Sequence, residues 1–185
     1  MVVVDPTDPQ ARLTLAVGAR DHVQGPDSAP LTLVEYGDFE CPQCGLAYPI
    51  VKQIQRAFAG RLRFVFRHFP LTSSHLHAQR AAEAAEWAAS QGRFWEMYGA
   101  LFEDQDSLSD RQILERATQL GLSRSSLEAA WSTHAHIARV KEDFLSGIES
   151  GVTGTPAFFI NGFRHVDARA DSLGAALEEA AQRSG

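Results

Sequence analysis

The chain has 185 residues, of which 44% are apolar and 22% charged, with a formal charge of −6 at pH 7. That length is enough for one good hydrophobic core, and the acidic balance, with Lys and Arg scattered rather than massed, argues against a nucleic-acid partner. No run approaches the ~18 apolar residues of a membrane-spanning segment, and two cysteines are too few for a disulfide scaffold.

Residues 1–25 are expected to be an irregular extension, with one short strand where Leu13–Val17 alternates. Met1–Gln10 lacks the basic region of a secretory leader, so the expected compartment is the cytoplasm, or the periplasm if a leader has been removed. Leu31–Tyr36 has the continuous apolar bias of a strand buried on both faces, with Glu35 as its odd member. From Cys41 the period changes to about 3.6, which places Leu46, Ile50, Val51, Ile54 and Phe58 on one helical face; Pro49 falls inside this helix and Gly60 is its expected stop. Arg61–Arg67 alternates as a second strand, and strand, helix and strand with short links predict a right-handed crossover and a parallel pair.

Residues 75–150 read as helices throughout. Ala78–Ser90 is Ala-rich, Phe94–Phe102 is strongly amphipathic, and Ser109-x-x-Gln112 is a capping box opening a helix that Gly121 closes. Leu127, Ala130 and Trp131 continue the apolar pattern, and Ile137, Val140, Phe144, Leu145 and Ile148 mark the face of a longer helix. Strand character returns at Ala157–Ile160, followed by the hairpin signal Asn161-Gly162, a return strand over Phe163–Val166 and a last helix over Ser172–Arg183.

The chemistry-bearing stretch is Cys41-Pro42-Gln43-Cys44, where the strand pattern gives way to the helical one. Two thiols one helical turn apart can close a disulfide. Helix N-terminal N–H groups and the helix dipole stabilise a thiolate there, lowering its pKa from about 8.5. The pair could also be half of a zinc site, since His68, His75 and His77 offer imidazoles about 30 residues on. A proline within the motif, a strand before it and a long helix after it favour the redox reading. The three histidines are otherwise expected as surface or capping residues, and Glu40 as solvent-facing.

These residues resemble the thioredoxin superfamily, and the helical block between β-α-β and β-β-α halves resembles its DsbA-like branch, including domains appended to sodium/proton antiporters. The resemblance covers roughly residues 20–180. It implies an α/β, thioredoxin-like fold, a mixed sheet flanked by helices in a single domain, with an all-helical insertion near 75–150. Pro49 stands where the superfamily kinks its active-site helix, Glu35 where it buries an acid beneath the thiols, and Thr155-Pro156 where it carries a cis-proline that leaves the Thr155 backbone open to a substrate strand. The implied activity is protein-disulfide oxidoreductase, with Cys41 nucleophilic, Cys44 resolving and Glu35 relaying a proton through water. Pro42 and Gln43 tune the couple. The Cys41–Cys44 disulfide is the only expected redox group, with no other cofactor and no metal. The expected partners are protein or peptide thiols and disulfides and a recycling redox partner. Because Gln43 carries no charge, the Cys41 pKa is expected below the free value but above the ~3.5 of DsbA, with a potential more reducing than about −120 mV. The competing class is a non-catalytic thioredoxin-fold module that binds peptides, senses redox state or holds zinc.

Overall fold

In the computed structural model, which describes residues 11–167 and 172–184, the chain runs β1 (His22–Gln24), β2 (Leu31–Gly37), α1 (Pro42–Ala57), β3 (Leu62–His68), α2 (Ala78–Ala89), α3 (Phe94–Glu103), α4 (Asp110–Gln119), α5 (Arg124–Ser132), α6 (Ile137–Glu149), β4 (Ala157–Ile160), β5 (Phe163–His165) and α7 (Leu173–Ser184). The sheet order is β1-β3-β2-β4-β5. β2 and β3 are parallel, with Glu35 opposite Phe66, as a strand–helix–strand crossover requires. The remaining pairs are antiparallel, and Tyr36 of β2 lies opposite Ala157 of β4.

Side-chain parity sorts the sheet into two faces. Leu31 and Leu33 of β2, Leu62, Phe64 and Phe66 of β3, and Phe158 and Ile160 of β4 join one core with α1, α3 and α7; Val34, Tyr36, Val65, Ala157 and Phe159 join another with Phe69, Val152 and Phe144. Glu35 shares the parity of Leu31 and Leu33, so its carboxyl is directed to the α1 face. Arg67 shares the parity of Val65 and lies on the opposite face. There it is fully buried, donating to Asp21, to the Leu15 and Ala16 carbonyls and to the Tyr36 hydroxyl.

Several expectations need correction. The Leu13–Val17 strand does not form: beyond a single bridge at Arg12, the carbonyls of Leu15 and Ala16 are taken by Arg67 rather than by a neighbouring strand. The strand of this region is β1, inside what reads as extension; the first ten residues lie outside those described. Leu46 is 65% exposed, because the buried stripe of α1 is Cys44, Ala47, Val51 and Ile54 and its first turn buries a cysteine, not the leucine. In α6 the expected apolar face is rotated: Leu145 and Ile148 are exposed, while Val140, Asp143, Ser146 and Gly147 are buried. That buried side meets polar groups, since Asp143 pairs with Arg20 and accepts from the His68 N–H, and Ser146 meets the Tyr36 hydroxyl. A Cβ at Gly147 would lie 2.7 Å from the Phe69 ring, so only glycine lets α6 approach this closely. The Ser109–Gln112 capping box forms as its spacing predicts.

Candidate active site: two thiols at a helix N-terminus

β2 ends at Gly37, where a Cβ would stand 2.4 Å from the Phe66 ring. The chain then turns through Asp38–Glu40 so that Cys41, in extended conformation (φ −72°, ψ 119°), caps α1, with Pro42 in its first turn. Proline suits that position because its missing N–H would have no helical partner there. Cys41 and Cys44 stand 3.9 Å apart, both free and both buried, whereas Pro42 and Gln43 between them are exposed. The pairing of β4 with β2 brings the preceding residues Thr155-Pro156 against the thiols. Their peptide bond is cis, and the Cys41 thiol donates to the Thr155 carbonyl at 3.3 Å. The Asp38 N–H donates to Cys44 Sγ at 3.5 Å.

The electrostatics separate the two sulfurs. A hydrogen bond from Cys44 outweighs burial at Cys41, and with Thr155 and the N–H groups of Cys44 and Gln43 it lowers the Cys41 pKa to about 5. The buried Thr155 hydroxyl has no partner within full hydrogen-bond geometry. Burial pushes Cys44 well above an ordinary thiol, reinforced by its hydrogen bond to Cys41 and by the charge of Glu35. Glu35 is itself 1% exposed, and burial, followed by the Cys41 charge, raises its pKa to about 8. The site thus holds one ready thiolate above one retained thiol and one neutral carboxyl. Arg63 leaves Glu35 alone and donates to Thr32.

Other contributors come from elsewhere in the chain. Asp38 is buried, and its carboxylate accepts from the N–H groups of Glu40 and Leu71 and from His75 Nδ1 at 2.7 Å. Glu40, read as solvent-facing, accepts from the His77 N–H. Gln105, in the turn after α3, donates to the carbonyls of Phe39 and Cys41 at 2.8 and 2.7 Å. The buried Tyr98 hydroxyl has no hydrogen-bond partner, and the charge of Glu35 adds to the burial that raises its pKa. Sequence spacing signals none of these. His68, read as a surface residue, is also buried: together with His22 it binds one oxygen of Glu86, at 2.9 and 2.8 Å. Among the described residues this is the one grouping of three donors with metal-ligand geometry, and neither cysteine belongs to it. Both imidazoles already direct Nε2 at the same oxygen, and His68 Nδ1 has no carboxylate or carbonyl behind it. A histidine ligand normally has such a support. The cluster therefore reads as a hydrogen-bonded brace.

The family model described as Thioredoxin matches residues 18–179. The chain belongs to the thioredoxin family. The structure is similar to oxidised BdbD from Bacillus subtilis, with TM-score 0.80 at 23% identity over 88% of this chain and 94% of that one. It is likewise similar to α-DsbA1 from Wolbachia pipientis, with TM-score 0.79 at 22% identity over 93% and 96%. The fold is that of DsbA-like proteins, a mixed five-stranded sheet with the helical insertion α2–α6. In sequence the chain is 47% identical over 146 residues to a Salinispora arenicola protein named Na(+)/H(+) antiporter NhaA 1, a match covering 79% of this chain and 22% of that protein. It thus spans about a quarter of the length of the curated relatives it matches. No helix among the described residues is long and apolar enough to cross a membrane.

Proposed function

We propose that the protein is a thiol:disulfide oxidoreductase acting on protein dithiols and disulfides, with the Cys41–Cys44 pair as its own redox group and no other cofactor. The observation that carries this reading is the Cys41 thiol at the N-terminus of α1, lowered to about 5 and 3.9 Å from a thiol kept protonated above a neutral buried acid. In the reducing direction the Cys41 thiolate attacks one sulfur of a substrate disulfide. A mixed disulfide forms and the other substrate sulfur leaves as a thiolate, which takes up a proton. Cys41 then carries no charge, so part of what holds the proton on Glu35 is gone. Glu35 releases its proton through water to the solvent and, as a carboxylate, then accepts the Cys44 proton by the same route. The Cys44 thiolate attacks Cys41 Sγ, closes the Cys41–Cys44 disulfide and expels the second substrate thiolate. Two electrons pass to the substrate, and the oxidising direction is the reverse.

Thr155 and Pro156 line the thiols as the place where a substrate strand would lie, since Pro156 has no N–H and Thr155 presents its backbone. Leu46, two residues after Cys44, and Leu76, next to His75, are 65% and 83% exposed, and suit apolar side chains of an unfolded polypeptide. A Cys41 pKa near 5, above the ~3.5 of the strongest oxidants, supports a couple of intermediate potential. A cytoplasmic location would make net reduction of substrates its physiological direction. A recycling partner must then restore the dithiol.

Insulin reduction by dithiothreitol, with and without the protein, tests the reading. Cys41→Ser should abolish the acceleration, and Cys44→Ser should accumulate a mixed disulfide. Full turnover by Cys41→Ser would overturn the proposal in favour of a binding or sensing module. Equilibration in glutathione buffers then fixes the direction.

A further inference from the structure

The motif dipeptide offers the thiolate no charge, since Gln43 is neutral and exposed. A buried carboxylate three residues before Cys41 opposes it. Asp38 is 2% exposed, and its backbone touches both cysteines: its carbonyl accepts from the Cys41 N–H at 3.2 Å and its N–H meets Cys44 Sγ. Its side chain is occupied structurally, anchoring the loop through the N–H groups of Glu40 and Leu71 at 2.8 Å each. A carboxylate so placed, next to a developing thiolate, raises the cost of ionising Cys41. Its counter-ion comes from the segment between β3 and α2. His75 sits with its side chain 17% exposed and Nδ1 2.7 Å from Asp38 Oδ2. The same segment is tied down at both ends, by Leu71 N–H on Asp38 and His77 N–H on Glu40, which holds the imidazole in place.

We propose that His75 is a positioning residue for the thiol chemistry: as an imidazolium on Asp38 it neutralises that carboxylate and stabilises the Cys41 thiolate, and so favours the reduced protein, which has that thiolate, over the oxidised one, which does not. The inference rests on the oxidoreductase reading of the site and deepens it. The charged groups facing His75 are Asp38 and Glu40 on the loop before α1 and Cys41 at its start. Although burial favours the neutral ring, the Asp38 hydrogen bond and the Asp38, Cys41 and Glu40 charges together raise its pKa. Closing the Cys41–Cys44 disulfide removes the Cys41 charge, so His75 must hold its proton less tightly in the oxidised protein. By linkage, protonated His75 favours the reduced form by the same factor.

The test uses the whole protein and does not depend on turnover. Cys41 ionisation is followed by thiolate absorbance at 240 nm in the reduced wild type, His75→Gln and His75→Lys, and the His75 ring is titrated by NMR in the reduced and oxidised wild type. His75→Gln should decrease the Cys41 acid dissociation constant at least threefold, and His75→Lys should restore most of it. His75 should titrate at higher pH in the reduced protein. Equal His75 titration in the two redox states overturns the proposal, as does an unchanged Cys41 constant in His75→Gln; if that variant does not fold, the wild-type comparison decides alone. A purely structural role would shift the melting temperature but neither titration. Loss of insulin turnover in the wild type, with these titrations as expected, would sink the enzyme reading and not this one.

Discussion

Two regions of the molecule bury carboxyl groups and treat them in opposite ways. At the β1–β3 edge and the seam with α6, each acid is paired. Asp21 accepts twice from the buried Arg67, Asp143 meets Arg20, Arg139 and the His68 N–H, and Glu86 accepts from His22 and His68. Burial alone would raise Asp21 and Glu86, yet their donors hold both below the usual carboxylate range. Beneath the thiols, Glu35 Oε2, the Tyr98 hydroxyl and the Thr155 hydroxyl have no hydrogen-bond partner, and Glu35 is raised to about 8. Satisfied groups fix a structure, whereas unsatisfied ones near a reactive atom are free to change protonation state when its charge changes. Among these acids, paired oxygens mark the brace, and an oxygen without a partner marks Glu35.

The largest effect should come from breaking the brace. Asp21→Ala leaves the fully buried Arg67 guanidinium without its counter-ion, and should cost about 3–5 kcal/mol in urea unfolding. The molecules that remain folded should exchange disulfides at the wild-type rate; slowed exchange would mean that the two regions are not separable. The next effect has the opposite sign. An acid whose folded pKa is raised contributes full stability below its unfolded pKa of 4.5 and loses it as pH rises toward the folded value of about 8. Glu35→Gln should therefore be nearly neutral at pH 4 and stabilise by about 3 kcal/mol at pH 7, while slowing the Cys44 step. Asp21 and Glu86 run the other way: their lowered pKa values give stability above their unfolded pKa that is lost as pH falls. Melting temperature against pH for wild type and Glu35→Gln checks both signs. Stabilisation at pH 4 equal to that at pH 7 would refute the assignment of Glu35.

The same contrast explains what was legible in the sequence. Glu35, Cys41 and Cys44 stand at fixed short spacings around one strand–helix junction, which brings them together whatever the rest of the chain does, and Pro156 directly precedes β4, the strand that pairs with β2. β2 and β4 are visible because burial on both faces leaves continuous apolar runs, and β3 because its residues alternate. The brace was not visible: Arg67, Asp143, Ser146 and Glu86 are polar residues at buried positions. Counting apolar periodicity turns such faces outward, which is why α6 was read with Leu145 and Ile148 inside. His75 and Gln105 reach the thiol loop from about 37 and 66 residues beyond Asp38 and Phe39. The parallel pairing of β2 with β3 carries the His75 segment to that loop, the docking of α3 on α1 carries Gln105 there, and no local pattern holds either piece of information.

The smallest predicted effect probes that docking. Gln105 Nε2 donates to the Phe39 and Cys41 carbonyls, fastening the turn between α3 and α4 to the first turn of α1. The fit depends on Gly45, where a Cβ would stand 2.1 Å from Gln105 Oε1. Glycine inside a helix costs roughly 0.5–1 kcal/mol relative to alanine, so Gly45→Ala should stabilise α1 by itself and displace the Gln105 amide at the same time. Gln105→Ala should cost about 1–2 kcal/mol through the two lost hydrogen bonds. In the Gln105→Ala background the clash is gone, and Gly45→Ala should give its full helical gain of up to about 1 kcal/mol; in the wild type it should give none or destabilise. A double-mutant cycle by urea unfolding measures this coupling, which should be about 1 kcal/mol because the two residues are in direct contact. Strict additivity would mean that the helical block rests on α1 without being keyed to it, and that the Cys41 carbonyl does not need Gln105 to hold its orientation.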